Sequence, residues 1–267
     1  MINRILLTGA AGKLGRRLRA PLSKLCTELV VSDLLPLQAE ATNERAFVCD
    51  LSDTAAVGEL LQGVDAVVHF AGYPREASWH TLVPANLLST VNLWEQGVRA
   101  GVQRIVYASS NHVTGFHPTD RIIGLEDEVK ADSRYGVTKA FTETLARFYY
   151  EKFGLQSLGI RIGRCEDSPT DERMFSTWIH PDDLNQIVRL GLTHPVAADL
   201  IYGVSRNSKG WWRNPAQPAV PYLPAYSADD YLLDPASPPG ERYRYQGGHF
   251  ATGEYGGDPE RAARNSH

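Results

Sequence analysis

The chain has 267 residues, 43% hydrophobic and 22% charged, the profile of an ordinary soluble globular fold. A net charge of -4, with no concentrated run of Lys and Arg, excludes a nucleic-acid binder held by phosphate contacts. No stretch approaches the length of a membrane span, and residues 1–7 are too short and too soon followed by glycines for a signal peptide. Cys26, Cys49 and Cys165 lie far apart without a CxxC or Cys/His ligand spacing, so free thiols, a cytoplasmic setting and no metal site are expected. The densest basic stretch, Arg16-Arg17-Leu18-Arg19, reads as the solvated side of a helix.

In chain order, residues 4–8 form a buried-strand pattern, followed by a glycine turn and a helix from Lys13. Residues 28–32, 46–49, 66–70, 104–108 and 157–161 predict five further strands, and residues 84–100 and 133–153 predict helices. Near-continuous apolar strands separated by helices imply a parallel sheet covered on both faces. Right-handed crossovers then lead to an α/β, doubly wound Rossmann fold. After Cys165 prolines interrupt the pattern at 169, 181, 215, 218, 221, 224, 235, 238 and 239. The expected division is therefore a dinucleotide-binding domain over 1–165 and, over 166–267, a small loop-rich substrate cap and tail that does not fold alone. Residues 253–267, rich in glycine and charge, are expected to fray.

Gly9-Ala-Ala-Gly12-Lys13-Leu14-Gly15 directly follows the first strand and opens a helix. Glycine permits both the tight turn and the close approach of a pyrophosphate, and the helix N-terminus offers free N–H groups to the phosphates. Such a turn can also serve packing alone; its place after the first strand favours dinucleotide binding. Asp33, at the end of the second strand, suits the adenosine ribose hydroxyls and repels a 2′-phosphate, which selects NAD over NADP. Lys13 and Arg16, near the loop, are the cations that argue the other way.

Tyr135-Gly-Val-Thr-Lys139 places two side chains one turn apart on one helix face. A lysine ammonium beside the phenol is expected to lower its pKa, so that the oxygen can take a proton from an alcohol. A YxxxK string also occurs in plain amphipathic helices. Ser110, in Ser109-Ser110 at the C-terminal end of the fifth strand, adds a hydroxyl where open parallel sheets bind ligands.

Taken in order, the glycine motif, Asp33, Asp50-Leu51, Ala71-Gly72, Asn86, Ser110 and Tyr135/Lys139 resemble the extended short-chain dehydrogenase/reductase superfamily over roughly residues 1–165. The resemblance implies Ser110, Tyr135 and Lys139 as catalytic residues. It implies cofactor contacts at Gly9, Gly12, Lys13, Leu14, Gly15, Asp33, Asp50, Leu51, Phe70, Ala71, Gly72, Asn86, Ala108, Tyr135, Lys139 and Ile162. Within these, Asp50 and Leu51 flank the adenine, Ala71 and Gly72 lie under the dinucleotide, and Asn86 steadies the sheet and a water relay. Lys139 also holds the nicotinamide ribose.

Finer features narrow the resemblance. Ala108-Ser-Ser-Asn-His112, Arg161-Ile-Gly163, Asp171-Glu-Arg-Met-Phe-Ser-Thr-Trp178, Asp182-Asp183, Gly210-Trp-Trp212 and Tyr245-Gln-Gly-Gly-His-Phe250 are similar to the bacterial uronate dehydrogenases, to about Phe250. That family implies NAD-dependent oxidation of C1 of glucuronate or galacturonate to an aldarolactone. Ser110, Asn111, His112 and Tyr135 would hold the sugar and Arg173 its carboxylate. Two departures stand out: Pro74 and Arg164 replace serines of the family pattern, and Arg164 could supply a second carboxylate ligand. A sugar acid is the expected partner, with no nucleic acid or membrane, and a homo-oligomer is expected from the superfamily. The competing readings are a nucleotide-sugar epimerase or dehydratase, another sugar dehydrogenase, and a non-catalytic NAD-sensing regulator. A Ser/His/Asp hydrolase is disfavoured because no GxSxG elbow occurs.

Overall fold

A computed structural model describes residues 2–231 and 243–252. Its first half runs β1 (Ile2–Thr8), α1 (Lys13–Ser23), β2 (Cys26–Asp33), β3 (Glu44–Val48), α2 (Thr54–Leu60), β4 (Ala66–His69), α3 (Trp79–Leu82), α4 (Ser89–Ala100) and β5 (Arg104–Ser110). The second half adds α5 (Arg134–Phe153), β6 (Gln156–Ile162), β7 (Arg164–Cys165), α6 (Met174–Thr177), β8 (Trp178–Ile179), α7 (Pro181–Thr193) and β9 (Ala198–Gly203).

All pairings in the main sheet are parallel, in the order β3-β2-β1-β4-β5-β6-β9. The period of two along β1 splits its side chains between two cores. Ile5 and Leu7 face Leu18 and Leu22 of α1 and Leu184, Ile187 and Val188 of α7. Leu6 faces Val57 of α2, Leu93 and Trp94 of α4, and Ala146 and Tyr149 of α5. This is the doubly wound α/β fold the apolar pattern predicts. Strand order reverses between β1 and β4, which opens a crevice at their C-terminal ends.

Three expectations change. The helix predicted over 84–100 begins as a π-helical turn, Val83–Leu88, before α4, with Pro84 in its first turn. Arg19 is not on a solvated face: it is buried, with ion pairs to Glu44 at 2.7 Å and Glu40 at 2.6 Å. The chain also returns to the sheet after residue 165, as β9 pairs with β6 and α7 completes the core beside α1. A boundary at 165 therefore cuts through one packed unit. The signal for α7 was present: Pro181 at its first position, Asp182 and Asp183 in its first turn, and a buried stripe from Leu184 to Leu192. The tail expected to fray, residues 253–267, lies outside the described residues.

Candidate active site

The crevice is a cavity of about 570 Å³ running from Asp33, Leu34 and Leu35 past the Gly9 turn to Ser110, Tyr135 and Lys139. The glycine turn is set by close backbone approach. Gly9 has φ +73°, and a Cβ there would stand 2.6 Å from the Phe70 and Ala71 backbone. A Cβ on Gly15 would stand 2.0 Å from the Gly9 carbonyl oxygen. Helix α1 starts at Gly12 with no side-chain cap and no acid in its first turn. Its leading N–H groups are thus left to the cavity, a fit for phosphates. Asp33 Oδ2 accepts the Ala11 N–H at 2.9 Å and Oδ1 the Leu35 N–H at 3.2 Å, which fixes the carboxylate on the cavity wall. Lys13 is paired with Glu166, and Arg17 with Asp167 through two bonds of 2.5 and 2.7 Å. The first pairing engages one of the two cations near the loop, and the other, Arg16, is exposed and outside the cavity lining. The length, the bare glycine turn and the acid at the far end fit NAD.

Helix α5 starts sharply because Ser133 caps it, accepting the Gly136 N–H at 3.0 Å, and Gly154 ends it in the left-handed conformation. Glu76 reaches over from the β4–α3 connection and accepts the Tyr135 N–H at 2.9 Å and an Arg134 guanidinium N–H at 2.9 Å. Lys139 Nζ donates to the Ala108 carbonyl at 2.8 Å and sits 5.7 Å from the Tyr135 ring centroid. One turn further, Glu143 pairs with buried Arg161 at 2.8 and 2.9 Å and accepts the Ser109 hydroxyl at 2.5 Å. The end of β5, helix α5 and β6 are thereby locked together.

The electrostatics correct one expectation. Burial pushes the Tyr135 phenol up to about 12; a hydrogen bond with Ser110 opposes the rise and Asp132 adds to it. Desolvation is the largest cause, so the phenol stands above its ordinary value in this cavity although Lys139 lies one turn away. The same burial lowers Lys139 itself to about 8, with Glu143 opposing. Between about pH 8 and the ordinary lysine range near ~10.4, the unfolded chain therefore holds a proton that the folded chain has lost. Folding becomes more favourable as pH rises through that window. Lys139→Met is expected to lose this gain, read as the difference in Tm between the two proteins as pH is raised.

A profile of the NAD dependent epimerase/dehydratase family matches residues 5–181. The uronate dehydrogenase of Pseudomonas putida is 37% identical over 257 residues, covering 94% of this chain and 96% of that protein. The uronate dehydrogenase of Agrobacterium fabrum is 36% identical, over 93% of this chain and 97% of that one. This chain belongs to the uronate dehydrogenases. The crystal structure of uronate dehydrogenase from Agrobacterium tumefaciens superposes with a TM-score of 0.90 at 35% identity, covering 93% of this chain and 96% of that chain. A mutant of that enzyme complexed with NAD gives a TM-score of 0.91 at 34% identity, over 94% of this chain and 97% of that one.

In this family member the cavity is lined by Gly9, Gly12, Lys13, Leu14, Gly15, Asp33, Asp50, Leu51, Phe70, Ala71, Gly72 and Pro74 along the β1–β4 half. Ala108, Ser110, Asn111, His112, Tyr135, Lys139 and Ile162 line the other half. Three of the expected site residues lie outside that lining. Asn86 is outside the lining: its amide accepts the Tyr73 N–H at 2.7 Å and donates to the Tyr73 carbonyl at 3.1 Å and to Thr138 Oγ1 at 3.0 Å. Both amide hydrogens are spent on bracing the cavity wall. Arg164 is half exposed, 3.6 Å from Glu166, and outside the lining. Arg173 lies behind the lining, where Nη2 donates to the Gln246 carbonyl at 2.6 Å and the guanidinium stands 5.7 Å over the Trp211 ring. Sequence reasoning missed Glu76, Asp132 and Glu143. Asp132 adjoins the Ser133 cap and could have been noticed; Glu76 is 59 residues from the N–H it accepts, with no local pattern to mark it.

Proposed function

We propose that the protein oxidises C1 of a free hexuronate, D-glucuronate or D-galacturonate in its cyclic form, to an aldarolactone with NAD as acceptor. The observation that carries this reading is the meeting of Ser110, Tyr135 and Lys139 at one end of a dinucleotide-sized cavity, in a chain that matches uronate dehydrogenases over nearly its whole length. When bound, the oxidised dinucleotide supplies the hydride acceptor and a positive charge. Ser110 Oγ orients the anomeric hydroxyl, and Tyr135 Oη takes its proton. Burial holds the phenol neutral, and the Lys139 ammonium, 5.7 Å from the ring centroid, is the cation of this chain placed to favour the phenolate. Asn111 and His112 face the same end of the cavity and suit the ring hydroxyls.

The sugar carboxylate needs a cationic fork, and Arg173 is proposed to provide it. Its Nε is buried without a partner among the described residues, which supports a guanidinium waiting for an acceptor. Arg173→Ala is expected to raise KM for uronates about 10- to 100-fold, the weight of hydrogen bonds to a charged group. Neutral sugars tested in parallel should lose far less; equal losses on both would remove Arg173 from this role. Exposed Val137 and Phe148 on α5 support the expected homo-oligomer, checked by light scattering. A cytoplasmic location is proposed with it; among the described residues no helix is long and apolar enough to cross a membrane.

Product analysis tests the reaction itself. NMR of a uronate turnover mixture should show one aldarolactone formed for each NADH. Interconversion of sugars without net NADH would instead indicate an epimerase, which returns the hydride it takes.

A further inference from the structure

Beside the Tyr135 ring, a buried carboxylate grips the histidine of the cavity wall. The Asp132 side chain is 0% exposed. Its Oδ2 meets His112 Nδ1 at 2.8 Å and its Oδ1 accepts the Ser133 hydroxyl at 2.7 Å. Two glycines from separate segments make room for it: a Cβ on Gly115 or Gly247 would stand 1.7 or 1.8 Å from Oδ2. The His112 ring is stacked on Phe250 with centroids 3.9 Å apart and meets the Tyr135 ring edge-on at 5.9 Å. Nothing in the chemistry of Ser110, Tyr135 and Lys139 requires this carboxylate, yet three segments of the chain are shaped around it.

A carboxylate only accepts, so His112 Nδ1 carries the hydrogen and, in the neutral ring, Nε2 keeps a bare lone pair. Nε2 makes no hydrogen bond among the described residues, and the ring lines the cavity. The neighbouring Asn111 Nδ2 is a buried donor with no partner among the described residues. An acceptor and a donor on adjacent residues match a hydroxyl, which can give one hydrogen bond and take another; a carbonyl or carboxylate oxygen can only take. We infer that Asp132 is a positioning residue: by fixing His112 in the Nδ1–H form it presents Nε2 as the acceptor for a hydroxyl of the sugar acid. This rests on the proposed function for its substrate, whereas the pairing of Asp132 with His112 stands on geometry alone.

Nitrogen-15 NMR of the histidine-labelled wild type at neutral pH reads the ring directly. A protonated Nδ1 and a bare Nε2 are expected for His112; a protonated Nε2, as the other tautomer or as the cation, overturns the inference. Asp132→Asn keeps the shape but can turn its NH₂ toward Nδ1, forcing the proton to Nε2. It is expected to lower kcat/KM for uronates about 10- to 100-fold, chiefly through KM, with NAD affinity unchanged. In a His112→Ala background the same substitution should change little, because the two residues act as one unit. Equal losses in both backgrounds, or a parallel loss of NAD affinity, would reduce Asp132 to a structural residue. A wild type inactive on every uronate would remove the substrate reading instead, leaving the NMR result to decide the pairing.

Discussion

Tyr135→Phe is expected to lower kcat for uronate oxidation by about 10²- to 10⁴-fold, the range that a positioned acid–base group contributes. The change deletes one oxygen. The ring stays in place because its surroundings are fixed by other atoms: Glu76 holds the Tyr135 N–H, and the Ser133 cap holds the first turn of α5. NAD affinity should therefore remain near that of the wild type, since the glycine turn and Asp33 lie at the other end of the cavity. The decisive readout is the split: kcat falls, and NAD titration does not shift. Turnover near the wild-type rate would show that the proton goes elsewhere. Removing the phenol also deletes the hydrogen bond with Ser110, so part of the loss belongs to the orientation of that hydroxyl.

The second large effect is expected at the opposite end. Gly15→Ala places a methyl 2.0 Å from the Gly9 carbonyl oxygen and 2.8 Å from Ala10 Cα. Both are backbone atoms in the turn itself, so no side chain can swing aside. Either α1 moves off β1 or the turn changes shape, and both outcomes withdraw the N–H groups that face the phosphates. NAD affinity should fall by roughly 100-fold or more, with about 1–3 kcal/mol of stability lost to overpacking. Isothermal titration with NAD, paired with denaturant unfolding, separates the two. An unchanged affinity would mean that the turn is a packing device and that the dinucleotide lies elsewhere.

The parts legible from sequence are those in which chemistry and local pattern coincide. The glycine turn, the strand-end Asp33, and Ser110 with Tyr135 and Lys139 each sit at a position that an apolar strand or a helical period marks. The cavity gathers them. What escaped depends on chain segments meeting from a distance. Glu76 acts on a helix 59 residues away. Glu143 was in view one turn past Lys139, but its partner Arg161 stands on a different strand. Order in the chain marks Asn86 but not its partners: the π-helical turn carries it inward to Tyr73 and Thr138. The prolines after Cys165 obscured α7 and β9, although Pro181 opens a helix and does not break one. The i, i+4 spacing reports neighbours on a helix and says nothing of how deeply they are buried, and burial is what pushes the Tyr135 phenol up.

The most direct measurement is NADH absorbance with purified protein and NAD, on D-glucuronate and D-galacturonate against glucose and UDP-glucose. Rapid NADH formation is expected on the free uronates, little on glucose, and none on UDP-glucose, whose C1 hydroxyl is blocked. Silence on both uronates, or equal rates on glucose, would contradict it: the first removes the reaction, the second the requirement for a carboxylate.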